Sequence, residues 1–123
     1  MKKILIVDDE KEIRELIKEK LTQNKYSVMT ASSASEGIII AKTSQPDLIL
    51  LDIAMPEMDG YLTCEKLKQD SKTRDIPVLL LTGKDLESKS AMERSNDVGA
   101  CDYISKMTSL KELLDKVKEI IKE

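Results

Sequence analysis

Five polar side chains stand at or just beyond the ends of short aliphatic runs, and their types suit phosphoryl transfer. They are the adjacent pair Asp8 and Asp9, then Asp52, Thr82 and Lys106. Ile4-Leu5-Ile6-Val7 precedes the pair, Leu48-Ile49-Leu50-Leu51 precedes Asp52, Val78-Leu79-Leu80-Leu81 precedes Thr82, and Tyr103-Ile104 lies shortly before Lys106. Should the runs be neighbouring strands, three carboxylates, a hydroxyl and an ammonium share one sheet edge. Carboxylates so close raise one another's pKa unless positive charge intervenes. Oxygen donors alone suit Mg²⁺ or Mn²⁺. A carboxylate can attack phosphorus to give an acyl phosphate, and Asp52 is the candidate nucleophile. Lys106 would neutralise the transferring oxygens, and the Thr82 hydroxyl would donate to one of them.

Each residue also has a plainer reading. Asp8 and Asp9, followed by Glu10, form an acceptable solvated acidic turn before a helix. Thr82 and Lys106 carry almost no information singly. Met55-Pro56-Glu57-Met58-Asp59-Gly60 fits a turn, with Asp59 as the cap of the next helix. The same loop could offer a backbone carbonyl, that of Ala54, to a metal, and spacing does not separate these readings. Tyr103, taken alone, is a half-buried strand residue with a wet hydroxyl.

The elements that must position these groups are legible as alternation. Strands are expected over Lys3–Val7, Tyr26–Ala31, Asp47–Leu51, Pro77–Leu81 and Cys101–Ile104, three of them continuous aliphatic runs suited to burial on both faces. Ile13, Leu16, Ile17 and Leu21 form one helical stripe. Leu110, Leu113, Leu114, Val117, Ile120 and Ile121 form another. Ser33 with Glu36, and Ser109 with Glu112, have capping-box spacing. Gly99 suits a left-handed stop for a fourth helix over about 86–98, whose stripe (Leu86, Met92, Val98) is the weakest and which is expected to be mobile or a partner surface. Five βα units in series imply a parallel α/β sheet covered by helices on both faces. Sites in such sheets form beyond the carboxyl ends of the strands, where strand order reverses. Strand two ends in Ala31-Ser32-Ser33, so the simplest geometry makes it an edge and sets strands one and three side by side.

The 123 residues imply one domain over 1–123, and 41% hydrophobic with 35% charged residues implies a globular, soluble chain. A net charge of -3 gives no electrostatic case for nucleic-acid binding. No apolar run is long enough for a bilayer, and the start turns acidic too soon for a signal peptide, so a cytoplasmic location is expected. The chain has no His, which excludes Ser-His-Asp and Cys-His nucleophiles and a phosphohistidine role. Cys64 and Cys101 lack metal-site spacing and are expected to be small buried or half-buried residues.

Taken in order, Val7-Asp8-Asp9-Glu10, Asp47-Leu48-Ile49-Leu50-Leu51-Asp52, Met55-Pro56-Glu57-Met58-Asp59-Gly60, Ile76-Pro77-Val78 with Leu81-Thr82-Gly83, and Gly99-Ala100-Cys101-Asp102-Tyr103-Ile104-Ser105-Lys106 span the whole chain. This series resembles the response regulator receiver domain of two-component signalling. The resemblance implies a flavodoxin-like (βα)5 fold of strand order 2-1-3-4-5 and a phosphorylation-controlled switch rather than a conventional enzyme. It implies Asp52 as acceptor from a histidine kinase or histidine phosphotransfer protein. It also implies Mg²⁺ on Asp8, Asp9, Asp52 and the Ala54 carbonyl, with Thr82 and Lys106 engaging the phosphoryl group. Tyr103 would be the switch aromatic, turning inward as Thr82 moves. The face made by the fourth helix, fifth strand and last helix would regulate a partner or form a weak dimer.

Met107 departs from the pattern, because the family usually has Pro there, joined by a cis bond. A cis bond to a non-proline costs about 3–4 kcal/mol, so a trans Lys106–Met107 bond, a rearranged loop and a somewhat displaced ammonium are expected. Ala54 and Lys84 lie two residues beyond Asp52 and Thr82, where Ala54 leaves room for water and Lys84 could shield the phosphoryl oxygens. Three rival readings meet obstacles in the same residues. A haloacid-dehalogenase-type phosphatase needs an acid where Ala54 stands. A flavin carrier would be repelled by Asp8-Asp9-Glu10-Lys11-Glu12. A degenerate, phosphorylation-independent receiver is opposed by the complete acid and Lys set. The chain ends with its last helix, so a stand-alone receiver is expected, although a receiver cut from a longer regulator would look the same.

Overall fold

The computed structural model describes residues 1–55, 59–83, 96–106 and 108–122. The strands β1 (Lys3–Val7), β2 (Ser27–Ala31), β3 (Leu48–Asp52), β4 (Val78–Thr82) and β5 (Asp102–Ser105) form one parallel sheet of order β2-β1-β3-β4-β5. Between them run α1 (Lys11–Gln23), α2 (Ala34–Ser44) and α3 (Gly60–Gln69), and the last helix spans Leu110–Ile120. The flavodoxin-like topology and the central β1–β3 pairing agree with the sequence.

Side chains alternate across the sheet with period two. Leu5, Val7, Ile49, Leu51, Val78 and Leu80 join one core with Tyr61, Cys64 and Leu67 of α3. Ile4, Ile6, Leu48, Leu50, Leu79 and Leu81 join the other with Ile17 and Leu21 of α1 and Leu113, Leu114 and Val117 of the last helix. Every residue of β3 and β4 is buried, which accounts for their unbroken aliphatic runs. The same parity carries Asp8 on from Ile4 and Ile6, and Asp52 on from Leu48 and Leu50. With Val7 paired to Leu51, the two acids emerge side by side.

Several expectations need correction. β3, β4 and β5 each begin and end one residue later than the apolar pattern suggests, and β2 begins one later. Ladder pairing belongs to the backbone, so Asp52 still registers with Leu81 and Thr82 with Ser105 although their side chains are polar. Leu16, in the α1 stripe, is 54% exposed and Leu110 is 36% exposed. Both flank a shallow groove of about 300 Å³ between α1 and the last helix, so the stripes are wider than the faces they bury. Cys64 is buried, but Cys101 is exposed, because it precedes β5 and only its thiol turns inward, to the Val78 carbonyl.

Helix starts follow the sequence closely. Ser33 accepts from the Glu36 amide and Ser109 from the Glu112 amide, both at 3.2 Å, and Asp59 accepts from the Leu62 amide at 2.8 Å. The Glu36 carboxylate returns to the Ser32 amide, one residue earlier than in a simple capping box. Gly99 has φ +83°, the left-handed geometry expected of a helix stop. The helix expected over 86–98, together with Lys84, Met107 and the Pro56-Glu57-Met58 part of the loop, lies outside the described residues apart from its last turn.

Candidate phosphoryl-transfer and metal site

Asp8, the first residue after β1, is fully buried. Its amide donates to Ala31 O of β2, extending the ladder by one step. Its Oδ1 accepts from the Glu10 amide at 2.9 Å, a local turn that fixes the carboxylate plane. Its carbonyl accepts from Arg14 Nη1 at 2.8 Å, so the first turn of α1 reaches back and pins the strand end. Asp8 Oδ2 is buried without a hydrogen bond, although the Lys106 ammonium lies 3.2 Å away as a counter-charge. Burial pushes the Asp8 carboxyl up to about 6, and the Asp52 charge adds to the rise. The Glu10 amide and Lys106 pull the other way.

Asp52 is 1% exposed at the end of β3. Its Oδ1 accepts from the Ala54 amide at 3.0 Å, and its Oδ2 lies 3.2 Å from Lys106 Nζ. The turn that follows is compact, since Gly60 N donates to Ile53 O at 3.0 Å. A Cβ on Gly60 would fall 2.4 Å from Ile53 Cα and 2.6 Å from Asp52 O. Gly60 is therefore required for the close approach of α3 to the Asp52 backbone, beyond any role in a turn.

Lys106 closes the arrangement. Its ammonium contacts Asp8, Asp52 and Glu10 together. Burial works against the charged form. The Glu10 contact and then the Asp52 and Asp8 charges outweigh it and hold the lysine above its ordinary range. Oxygens of Asp8, Asp9, Glu10 and Asp52 all lie within 4.8 Å of one another. This is a hard-oxygen donor set with a buried, unbonded oxygen among its members, and it fits a divalent cation such as Mg²⁺.

Asp8, Asp9, Asp52 and Lys106 are thus brought together as the sequence suggests. Thr82 stands next to them but is turned to β5. It is fully buried, its Oγ1 donates to Ile104 O at 3.4 Å, and its carbonyl accepts from Lys106 N at 2.7 Å. Ala54 is exposed at the rim. Tyr103 is half-buried and packs against the core on the α2 and α3 side. Sequence reasoning missed the Glu10 side chain and Arg14. Glu10 was visible as a third consecutive acid, and Arg14 stands one helical turn later, with its amide on Glu10 O.

Comparison with known proteins agrees with this geometry. The family model described as response regulator receiver domain matches residues 4–118. The chain belongs to the response regulator receiver domain family. It is 40% identical to the alkaline phosphatase synthesis transcriptional regulatory protein PhoP of Bacillus subtilis, over 98% of this chain and 49% of that protein. It is 37% identical to the DNA-binding dual master transcriptional regulator RpaA of Synechocystis, over 99% of this chain and 50% of that protein. The chain spans about half the length of these curated relatives. Among solved structures, the chemotaxis protein CheY4 of Vibrio cholerae superposes with a TM-score of 0.92 at 28% identity, covering 98% of this chain and 99% of that one. The response regulator receiver domain protein (CheY-like) of Methanospirillum hungatei superposes with a TM-score of 0.87 at 33% identity, covering 97% and 92%. Among the described residues, no helix is long and apolar enough to cross a membrane.

Proposed function

We propose that this chain is a phosphorylation-controlled signalling switch that accepts a phosphoryl group on Asp52 from the phosphohistidine of a kinase or phosphotransfer protein. The observation that carries the reading is the placement of a buried carboxylate, Asp52, beside a second buried carboxylate and under a lysine that touches both. A carboxylate oxygen of Asp52 attacks phosphorus, and an aspartyl O–P bond forms. The donor P–N bond breaks, and the departing imidazole keeps the electron pair and takes a proton from solvent. In hydrolysis a water attacks phosphorus, the O–P bond breaks, and the Asp52 carboxylate and inorganic phosphate are released.

Asp8, Asp9, Asp52 and the Ala54 carbonyl would hold the divalent cation. Once bound, it supplies charge neutralisation for the phosphoryl oxygens and a template for in-line transfer. The remaining work belongs to this chain's own groups. The Ala54 amide fixes the plane of the Asp52 carboxylate. Lys106 offsets negative charge at Asp52 Oδ2. The Thr82 hydroxyl would exchange its long bond with Ile104 O for a phosphoryl oxygen, which contributes about twice as much as a neutral hydrogen bond. That exchange and the pull on Lys106 both act on β5, so Tyr103 and the neighbouring surface would report the phosphoryl group to a partner.

The size of the curated relatives favours a receiver that works within, or alongside, a transcriptional output. This domain offers no electrostatic case for touching nucleic acid itself. Cytoplasmic location, and a monomer or a weak dimer through the fourth helix, β5 and the last helix, are part of the same reading. Intact mass after incubation with Mg²⁺ and acetyl phosphate tests it. One phosphoryl group is expected on the unsubstituted chain and none on Asp52→Asn or without metal. Failure of the unsubstituted chain to take up a phosphoryl group or bind a stable phosphoryl mimic would favour the phosphorylation-independent receiver instead.

A further inference from the structure

Glu10 touches the site twice. Its amide holds Asp8 Oδ1, and its side chain is ion-paired with Lys106. The three carboxylates that share the ammonium differ in kind. The side chains of Asp8 and Asp52 are 0% and 1% exposed, whereas that of Glu10 is 57% exposed. A divalent cation among Asp8, Asp9 and Asp52 and an ammonium on the same oxygens would repel each other within a few ångströms. Lys106 must then give up part of its contact with Asp8 and Asp52, whose charge the cation takes over. Among the described residues that pair with Lys106, Glu10 alone stands at the exposed rim, where the ammonium can remain paired while the buried acids turn to the metal.

We propose that Glu10 is a positioning residue that keeps Lys106 at the mouth of the pocket when a divalent cation takes over Asp8 and Asp52, so that ammonium and metal occupy the site together. The inference rests on reading Asp8, Asp9 and Asp52 as the cation site. Glu10 acts through Lys106, because the Glu10–Lys106 pair strengthens once the lysine's other two partners are neutralised. By linkage, whatever strengthens that pair on metal binding must also strengthen metal binding.

A double-mutant cycle on Mg²⁺ affinity, measured by calorimetry on the unphosphorylated chain, tests this. Glu10→Gln is expected to weaken Mg²⁺ binding by about fivefold, in the usual range of coupling between sites. In a Lys106→Met background the same change should weaken it less than twofold. An equal loss in both backgrounds means that Glu10 acts on the cation by its own charge, and overturns the proposal. No loss with Lys106 present overturns it as well. A second readout needs no variant. On adding Mg²⁺ to the unsubstituted chain, carbon NMR should show the Glu10 carboxylate and the Lys106 ε-methylene shifting together. A Lys106 signal that becomes that of a free lysine contradicts the proposal. Absence of any Mg²⁺ binding by the unsubstituted chain would instead remove the cation site itself.

Discussion

β3 and β5 stand two places apart in one sheet, yet every residue of β3 is buried while all four residues of β5 are half-buried. The difference follows from position. β3 has a strand on each side and a core on each face, whereas β5 is an edge with β4 as its neighbour. Asp52 therefore sits on the part of the molecule least able to shift, which suits a nucleophile whose geometry must be fixed. Thr82 and Lys106 lie where the two regimes meet, each tied to the other or to β5 by a main-chain oxygen. Groups that respond to a new charge are thus attached to a half-buried edge strand, which has less packing to lose than β3.

Removing the support of the buried end is the harshest way to break this contrast. Gly60→Ala forces a methyl into the Ile53 and Asp52 backbone. It should destabilise the fold by about 3 kcal/mol or more, at the upper end of overpacking effects. Gly83→Ala meets nothing within 4 Å and should stay within about 0.5 kcal/mol. Urea denaturation of both variants checks the pair, and equal losses would mean that the Asp52 turn is not the tighter of the two.

Asp8→Asn probes the electrostatic strain at the same end. An Asp8 pKa of about 6 in the folded chain, against the ordinary 3.8 of an aspartate, means that the folded state binds more protons between those pH values. Stability from this group therefore falls as pH rises from about 4 to 6 and stays reduced above that range. Asparagine keeps the acceptor for the Glu10 amide and removes the charge. Asp8→Asn should be more stable at pH 7, by at most about 3 kcal/mol, with a flatter pH profile. Thermal melts from pH 4 to 8 measure both.

Tyr103→Ala should act on the other region. Its loss from a half-buried edge strand is expected to cost about 1–2 kcal/mol, less than a core aromatic. Phosphoryl uptake should be retained while amide shifts of β5 on phosphorylation shrink. Smallest of all should be Lys84→Ala, with the fold unchanged and a faster decay of the aspartyl phosphate if Lys84 shields it. An unchanged decay rate would remove that role.

Much of this was legible in the sequence. The aliphatic runs specified the parallel strands, and Ser33, Asp59, Ser109 and Gly99 marked their helix ends as the structure has them. Asp8, Asp9, Asp52 and Lys106 converge as their strand-end positions imply. What the sequence does not display depends on contacts between parts far apart in the chain or on a side chain reaching backwards. Glu10 meets Lys106 across 96 residues, Arg14 turns back from a helix to a carbonyl, and Gly60 matters for a backbone contact that no local pattern encodes. The α1 and last-helix stripes extend beyond the faces they bury, with Leu16 and Leu110 exposed, because periodicity shows which face is apolar and not how much of it another element covers.

The most direct test of the account is to locate the phosphoryl group chemically. The chain is treated with Mg²⁺ and acetyl phosphate, reduced with borodeuteride, which converts an aspartyl phosphate to deuterated homoserine, and mapped by peptide mass. The account predicts the label at position 52 and nowhere else. Label on Asp8 or Asp9, or none in a chain whose intact mass shows a phosphoryl group, would contradict it.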